Sequence, residues 1–391
     1  MDAAAPGRGV LEGVRVADFS HALAGPLCSM LLADLGADVV KIERPDGDQV
    51  RGWGPPFHEG DAAYYYAANR NKRSIALDLK DSGDLEVARA IVDGADVLVE
   101  NSRPGVMARM GLDFDSLSEH RPDLIYCSIT AFGPDGPPQL SGYDLILQAV
   151  SGIMSVTGSA EGDPMKVGVP IVDQVAGLYA TIGVLAALAE RSRSGCGQQV
   201  EVSLLGASAA TLANRAAGHL LAGSPQQRMG NAHPNVSPYE LFDAQDRSFV
   251  IAAANEQLWE RTCAALERGD LIDDPRFLTN GSRVEHRVEL KEEIERTTGT
   301  RRAAVWIERL TDVAVPAALV NDLGDAFRLA EELGVDVIEP AEKPDGSLLP
   351  LVRNPIELSR SRSPRPMAPP RLDQHGDEIR REVSTPASRA L

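Results

Sequence analysis

The sequence predicts an α/β protein: a Rossmann-like large domain with a parallel sheet, joined to a smaller α+β domain. Three observations carry this. Between residues 10 and 200 short apolar runs alternate with helical patterns, the signature of βαβ units and of a sheet covered on both faces. From about residue 226 to 325 the texture changes to two short strands followed by amphipathic helices. The chain has 391 residues, 43% of them hydrophobic and 25% charged, which is ordinary globular composition and enough length for two domains.

In chain order, Val14 to Ala17 reads as the first strand, and Pro26 suits the first turn of the helix that follows, with Gly36 placed to end it. Val39–Ile42, Ser74–Leu77, Val97–Glu100 and Leu124–Ile129 are further strands, with a helix at Leu85–Asp93. Val167 to Val172 reads as a short buried strand, and Val175 to Leu188 as an almost uncharged core helix. Residues 1–200 are assigned to the large domain. Residues 201–225 hold a strand end, Val200–Leu204, and an Ala-rich linker helix that stops before Pro225. In the small domain, 226–325, Tyr239–Phe242 and Ser248–Ala253 read as strands, and Glu256–Ala265, Glu285–Thr297 and Arg301–Leu310 as helices. Residues 326–391 form a linker and tail with short extended pieces and a Pro-rich run from Ser363 to Pro370.

The net charge of −18 argues against nucleic acid as a partner, so any anionic ligand has to meet a local cluster of Lys and Arg. Cys28, Cys127, Cys196 and Cys263 lie far apart without metal-type spacing, which points to buried thiols in a reducing, cytoplasmic setting. Met1 to Arg8 lack the pattern of a secretory leader, and no uncharged run reaches membrane-spanning length. His21, His58, His120, His219, His286 and His375 show no HExxH spacing, so no metal is expected. There is no G-x-G-x-x-G after the first strand, no P-loop and no G-x-S-x-G elbow, which removes the nicotinamide, nucleotide and serine-hydrolase readings.

One carboxylate draws attention. Asp173 stands between the apolar run Val167–Val172 and the apolar helix after it. A helix N-terminus favours its charge while apolar walls strip its water, a setting suited to a nucleophile. An ordinary N-cap Asp is the plain alternative. The surrounding motifs decide between them: Val14-Arg15-Val16-Ala17-Asp18-Phe19-Ser20, Ala24-Gly25-Pro26, Leu32 through Arg44, Asn71 through Lys80, Asp96 through Asn101 and Arg109-Met110-Gly111, in this order. With them the chain resembles the family III CoA-transferases, a group that includes formyl-CoA transferase, carnitine CoA-transferase and the α-methylacyl-CoA racemases.

The resemblance implies that Asp173 is the catalytic aspartate. It places CoA, a substrate rather than a tightly bound cofactor, against Leu23, Ala24, Arg44, Leu77 to Lys80, Asn101, Ser102, Arg103, Arg109 and Thr130 to Gly133. Arg44, Lys80, Arg103 and Arg109 can pair with phosphates, although any one of them taken alone would pass for a solvated surface charge. It further implies a tail that returns to the large domain and an interlocked homodimer, with each active site between the large domain of one subunit and the small domain of its partner. Leu23 and Thr130 stand where formyl-CoA transferases carry Gln and Lys, which argues against formate and oxalate. Tyr143 stands where the racemases place a His, and a tyrosine, titrating near pH 10, is a poor base. Transfer through an aspartyl anhydride is therefore expected, from an acyl-CoA such as succinyl-CoA to a free carboxylic acid. A racemase or a non-catalytic acyl-CoA-binding protein are the alternatives. Gly230, Asn231 and His233 fall in a turn-rich loop where the family closes over the acyl group, His233 being a candidate donor to the acceptor carboxylate.

Overall fold

The computed structural model describes residues 9–137, 140–361 and 364–384. Met1 to Arg8 and Ser363, read above from the sequence, lie outside these. The chain divides into two compact units: residues 1–153, 167–223 and 336–391 form one, and 154–166 with 224–335 form the other. The 201–225 helical segment thus falls almost wholly in the first unit, and the second extends to Val335 and takes in 154–166.

The first unit is built on six parallel strands: β1 (Arg15–Asp18), β2 (Asp38–Glu43), β3 (Lys72–Ala76), β4 (Val97–Glu100), β5 (Ile125–Thr130) and β6 (Gln199–Ser203), in spatial order β3-β2-β1-β4-β5-β6. This is the doubly wound arrangement, with its switch point beside β1. Successive residues point to opposite faces, as the strand pleat requires. Val16, Val39 and Val97 join one core with helix α1 (Ala24–Asp34), while Ala17, Val40 and Leu98 join another with helix α2 (Ser82–Asp93). Strand limits differ from the sequence reading by no more than two residues, because an apolar core face and a turn bound each one.

The expected strand at Val167–Val172 is absent. Pro170 lacks an amide and has φ −73, so it closes off strand pairing and opens a helix. Val167 N donates to the Gln148 side chain at 2.8 Å rather than to a strand. After the short helix α3 (Asp144–Val150), helix α4 therefore runs from Ile171 to Ser194 and starts four residues earlier than the apolar run suggests. It is also not wholly a core helix. By length and composition it could cross a membrane. It buries Val172, Ala176, Gly177, Ala180, Thr181, Val184 and Ala187, a stripe of mostly small side chains at helical spacing, and leaves Leu178, Tyr179 and Ile182 exposed. Ala213, at φ 42, breaks the following Ala-rich stretch into α5 (Leu204–Thr211) and α6 (Ala213–Ala222).

The second unit has a three-stranded antiparallel sheet of β7 (Tyr239–Asp243), β8 (Ser248–Ala252) and β9 (Ala317–Leu319), in the order β9-β8-β7. Helix α7 (Glu256–Ala265) starts where Asn255 accepts from Leu258 N at 2.9 Å, an N-cap legible in the sequence. The helix expected at Glu285–Thr297 is present as α9 (Arg287–Thr298), preceded by a short helix the sequence reading did not include, α8 (Asn280–Glu285), with the non-helical His286 between them. With α10 (Ala303–Asp312) they enclose Phe249, Phe277, Trp259 and Trp306.

Candidate active site

The loops after β1, β2, β3, β4 and β5 emerge at the carboxyl edge of the sheet, where open α/β sheets hold ligands. After β1 the chain passes through Ala22, at φ 65, and enters α1 with Leu23 as N-cap and Ala24 as first residue, both buried. No side chain among the described residues caps α1. Helix α4 packs directly on this start: a Cβ on Gly177 would lie 2.7 Å from the Ala24 carbonyl oxygen and 3.1 Å from Leu27. Only glycine permits that approach. Gly177 is one turn along α4 from Asp173, which places the beginning of α1 beside the candidate nucleophile.

Asp173 is the third residue of α4 and is partly buried. The amides that a helix start would offer to a carboxylate are already engaged. Asp144, the first residue of α3, accepts through Oδ1 from Val172 N at 2.8 Å and from Asp173 N at 3.3 Å, and its Oδ2 accepts from Gln148 Nε2 at 2.6 Å. Gln148 Oε1 in turn accepts from Val167 N. Asp173 thus loses the expected support of the helix end and faces a second carboxylate instead. Burial, and then the charge of Asp144, push it up from 3.8 to about 7, the direction both effects require.

Aromatic side chains flank the pair. Burial first, and then the charges of Asp173 and Asp144, push Tyr64 up to about 12, so its hydroxyl remains a donor throughout the physiological range. The Trp53 ring lies 5.5 Å from that of Tyr64 and 6.3 Å from that of Tyr143. Tyr143 precedes α3 as its N-cap residue and is exposed. Asp144, Tyr64 and Trp53 carry no role in the sequence reading above. In a chain with only 5% aromatic residues, the cluster Trp53, Tyr64, Tyr65, Tyr66 was the available signal.

The proposed CoA contacts distribute unevenly. Arg44 directly follows β2 with an exposed side chain 3.3 Å from Asp46. Leu77, just past β3, is buried and donates its amide to Glu43 O, so it supports the loop rather than presenting a side chain. Lys80 is exposed before α2. Asn101 is occupied: its Oδ1 accepts from His21 N at 2.9 Å and its Nδ2 donates to His21 O at 2.8 Å, tying the loop after β4 to the loop after β1. Ser102, Arg103 and Thr130 line a cavity of about 300 Å³ together with Glu100, Tyr126 and Ser128. Ser128 Oγ and Ser102 N donate to Glu100, whose burial raises it above the ordinary carboxylate range. Arg103 and Arg109 are both exposed, and Thr130 Oγ1 accepts from Gly133 N at 3.0 Å. Among the described residues no group of three His, Cys, Asp or Glu is placed to hold a metal. Cys28, Cys127 and Cys263 are buried and Cys196 is exposed.

Gly230, Asn231 and His233 belong to the second unit. Gly230, at φ 60, donates its amide to Gly158 O at 2.9 Å, which is why 154–166 groups with this unit. Asn231 is exposed. His233 is pinned: its amide donates to Tyr239 O, its ring lies 5.2 Å from that of Tyr239, and its Nδ1 accepts from Asn235 N at 3.1 Å. The accepting Nδ1 assigns the ring proton of the neutral form to Nε2.

A sequence profile described as CoA-transferase family III matches residues 11–376. A succinate–glutarate CoA-transferase of Agrobacterium fabrum is 41% identical over 96% of this chain and 96% of its own. A human succinyl-CoA:glutarate CoA-transferase is 35% identical over 97% of this chain and 87% of its own. The crystal structure of a CAIB/BAIF family protein from Brucella suis superimposes with a TM-score of 0.85 at 38% identity, covering 96% of this chain and all of that one.

Proposed function

The chain belongs to CoA-transferase family III, and from that premise we propose that it moves CoA from an acyl-CoA, succinyl-CoA foremost, to a free dicarboxylic acid of the glutarate type, with Asp173 as covalent nucleophile. The acids are those named for the relatives just described. The observation that carries the nucleophile is Asp173 itself: a partly buried carboxylate raised to about 7, whose neighbouring helix amides are engaged by Asp144. A carboxylate so deprived of solvent and donors is a stronger nucleophile than one in water, and with its proton leaving near pH 7 it is still available in ionised form at and above neutrality.

An oxygen of Asp173 attacks the thioester carbonyl carbon, the C–S bond breaks, and CoA leaves as the thiolate with the electron pair. The thiolate then attacks Cγ of Asp173 in the mixed anhydride, releasing the donor acid and forming an aspartyl-CoA thioester. The acceptor carboxylate attacks the same carbon, expels the thiolate, and the thiolate takes the acceptor acyl group, restoring Asp173. No net proton is consumed, and the thioester energy is conserved. Tyr64 OH supplies a donor beside the developing oxyanions, and the start of α1 offers backbone amides. The reading includes a cytoplasmic homodimer, for which the exposed Leu178, Tyr179 and Ile182 offer an apolar surface.

Incubation with succinyl-CoA and glutarate should yield glutaryl-CoA and succinate, and hydroxylamine treatment of enzyme mixed with succinyl-CoA alone should mark Asp173 in a peptide mass map. Label on another residue would refute the nucleophile. A 2-methylacyl-CoA in D₂O without acceptor should keep its α-hydrogen. Rapid exchange there would replace transfer by racemisation.

A further inference from the structure

Within the first unit a single buried carboxylate holds the two loops that frame Asp173. Asp48, five residues past β2, accepts through Oδ1 from Ala22 N and from Val50 N, each at 3.2 Å, and through Oδ2 from Lys41 Nζ at 3.0 Å. Lys41 Nζ also donates to Ser20 O at 2.9 Å, and the Asp48 amide donates to Glu43 Oε2 at 3.0 Å. The side chains of Lys41 and Asp48 are each 1% exposed. One arm of this arrangement fixes Ser20–Ala22, where Ala22 has the left-handed φ of 65 and, lying ahead of the helix, has an amide that needs a partner outside the helical ladder. The other arm fixes the first turn of the 3-10 helix Gln49–Gly52, which delivers Trp53.

A buried ion pair adds little net stability compared with an apolar pair of the same volume. What an apolar pair cannot do is accept from Ala22 N and Val50 N together. We propose that Asp48 is a positioning residue for CoA transfer: through one carboxylate oxygen it holds the start of α1 and the Trp53 loop in one register around Asp173. The assignment rests on the transfer reaction proposed above.

Two double variants separate the roles. Asp48→Asn with Lys41→Met removes both charges but keeps an Oδ1 acceptor for the two amides; Asp48→Leu with Lys41→Met removes the acceptor as well. With succinyl-CoA and glutarate, the leucine variant should lose at least tenfold in kcat, the scale of one hydrogen bond to a charged group. Its KM for succinyl-CoA should stay within threefold of wild type. Hydrogen exchange followed by mass spectrometry should quicken in peptides covering 20–27 and 48–54, but not in β5. The asparagine variant should recover wild-type kcat to within threefold. Wild-type kcat and exchange in the leucine variant would overturn the proposal, as would equal losses in both variants accompanied by faster exchange throughout. Should the leucine variant not fold, Asp48→Ser with Lys41→Met, too short to reach both amides, makes the same comparison. If the wild-type enzyme transfers no CoA, the transfer reading fails and the exchange pattern alone decides the clamp.

Discussion

Replacing Asp173 by Asn should abolish transfer and at the same time stabilise the fold, by an amount that grows with pH. Burial and Asp144 raise the folded-state pKa from 3.8 to about 7. Below 3.8 the carboxyl is protonated in both folded and unfolded chains. Between the two values the unfolded chain releases the proton while the folded chain keeps it, so stability falls as pH rises; above 7 both forms are ionised and the loss is complete. The interval from 3.8 to about 7, at about 1.4 kcal/mol for each tenfold change, sets a ceiling of about 4 kcal/mol on that loss. Asn cannot ionise and escapes it. Urea melts of wild type and Asp173→Asn at pH 5 and pH 8 should therefore show the variant's advantage widening by roughly 3 kcal/mol between the two conditions. An advantage independent of pH would mean that Asp173 ionises normally and that the electrostatic account of its nucleophilicity is wrong. Residual transfer within about 10⁴-fold of wild type would refute its covalent role.

The kcat/KM for succinyl-CoA should rise with pH to a plateau, with its midpoint near 7 in the free enzyme; Asp144→Asn should shift that midpoint downward by removing a like charge, and an unmoved midpoint would exclude Asp144 as a cause. Gly177→Ala should cost about 1–3 kcal/mol in thermal or urea unfolding and reduce kcat, because its methyl would press on the Ala24 carbonyl; an unchanged variant would show that α1 and α4 separate freely. Arg103→Ala and Arg109→Ala should each weaken CoA binding by about 1.5–3 kcal/mol in calorimetry, and if dephospho-CoA removes neither difference, the lost contact is to the diphosphate. Tyr64→Phe should lower kcat by about 10²- to 10³-fold without changing the binding of CoA, as loss of an oxyanion donor does; equal losses in binding would make Tyr64 a ligand contact instead.

Local rules account well for the elements whose causes are local. The strands β1 to β6 were legible because each is a short apolar run bounded by turn residues, and α7 because Asn255 caps it. Local reasoning failed at Val167–Val172, where an apolar run suggested a strand but Pro170 and the side chain of Gln148 took the backbone into a helix. It also left unread the short helix α8 (Asn280–Glu285), although the helix expected just after it is present as α9.

By itself the sequence determined the sheet-and-helix alternation and the loops that follow its strands, since these follow from periodicity, and it singled out Asp173 as the carboxylate to watch only through the ordered motifs that carry the family resemblance. Tertiary structure decided how Asp173 behaves. Asp144, which takes the helix-end amides, is 29 residues away in sequence from Asp173; Asn101 meets His21 across 80 residues and Asp48 meets Ala22 across 26. Propensity and hydrophobic pattern act over one or two turns, whereas a buried polar group must take whichever partner the topology carries to it. Tertiary packing, not spacing, brought these partners together, and Asp144 among them, with burial, sets the proton affinity of Asp173.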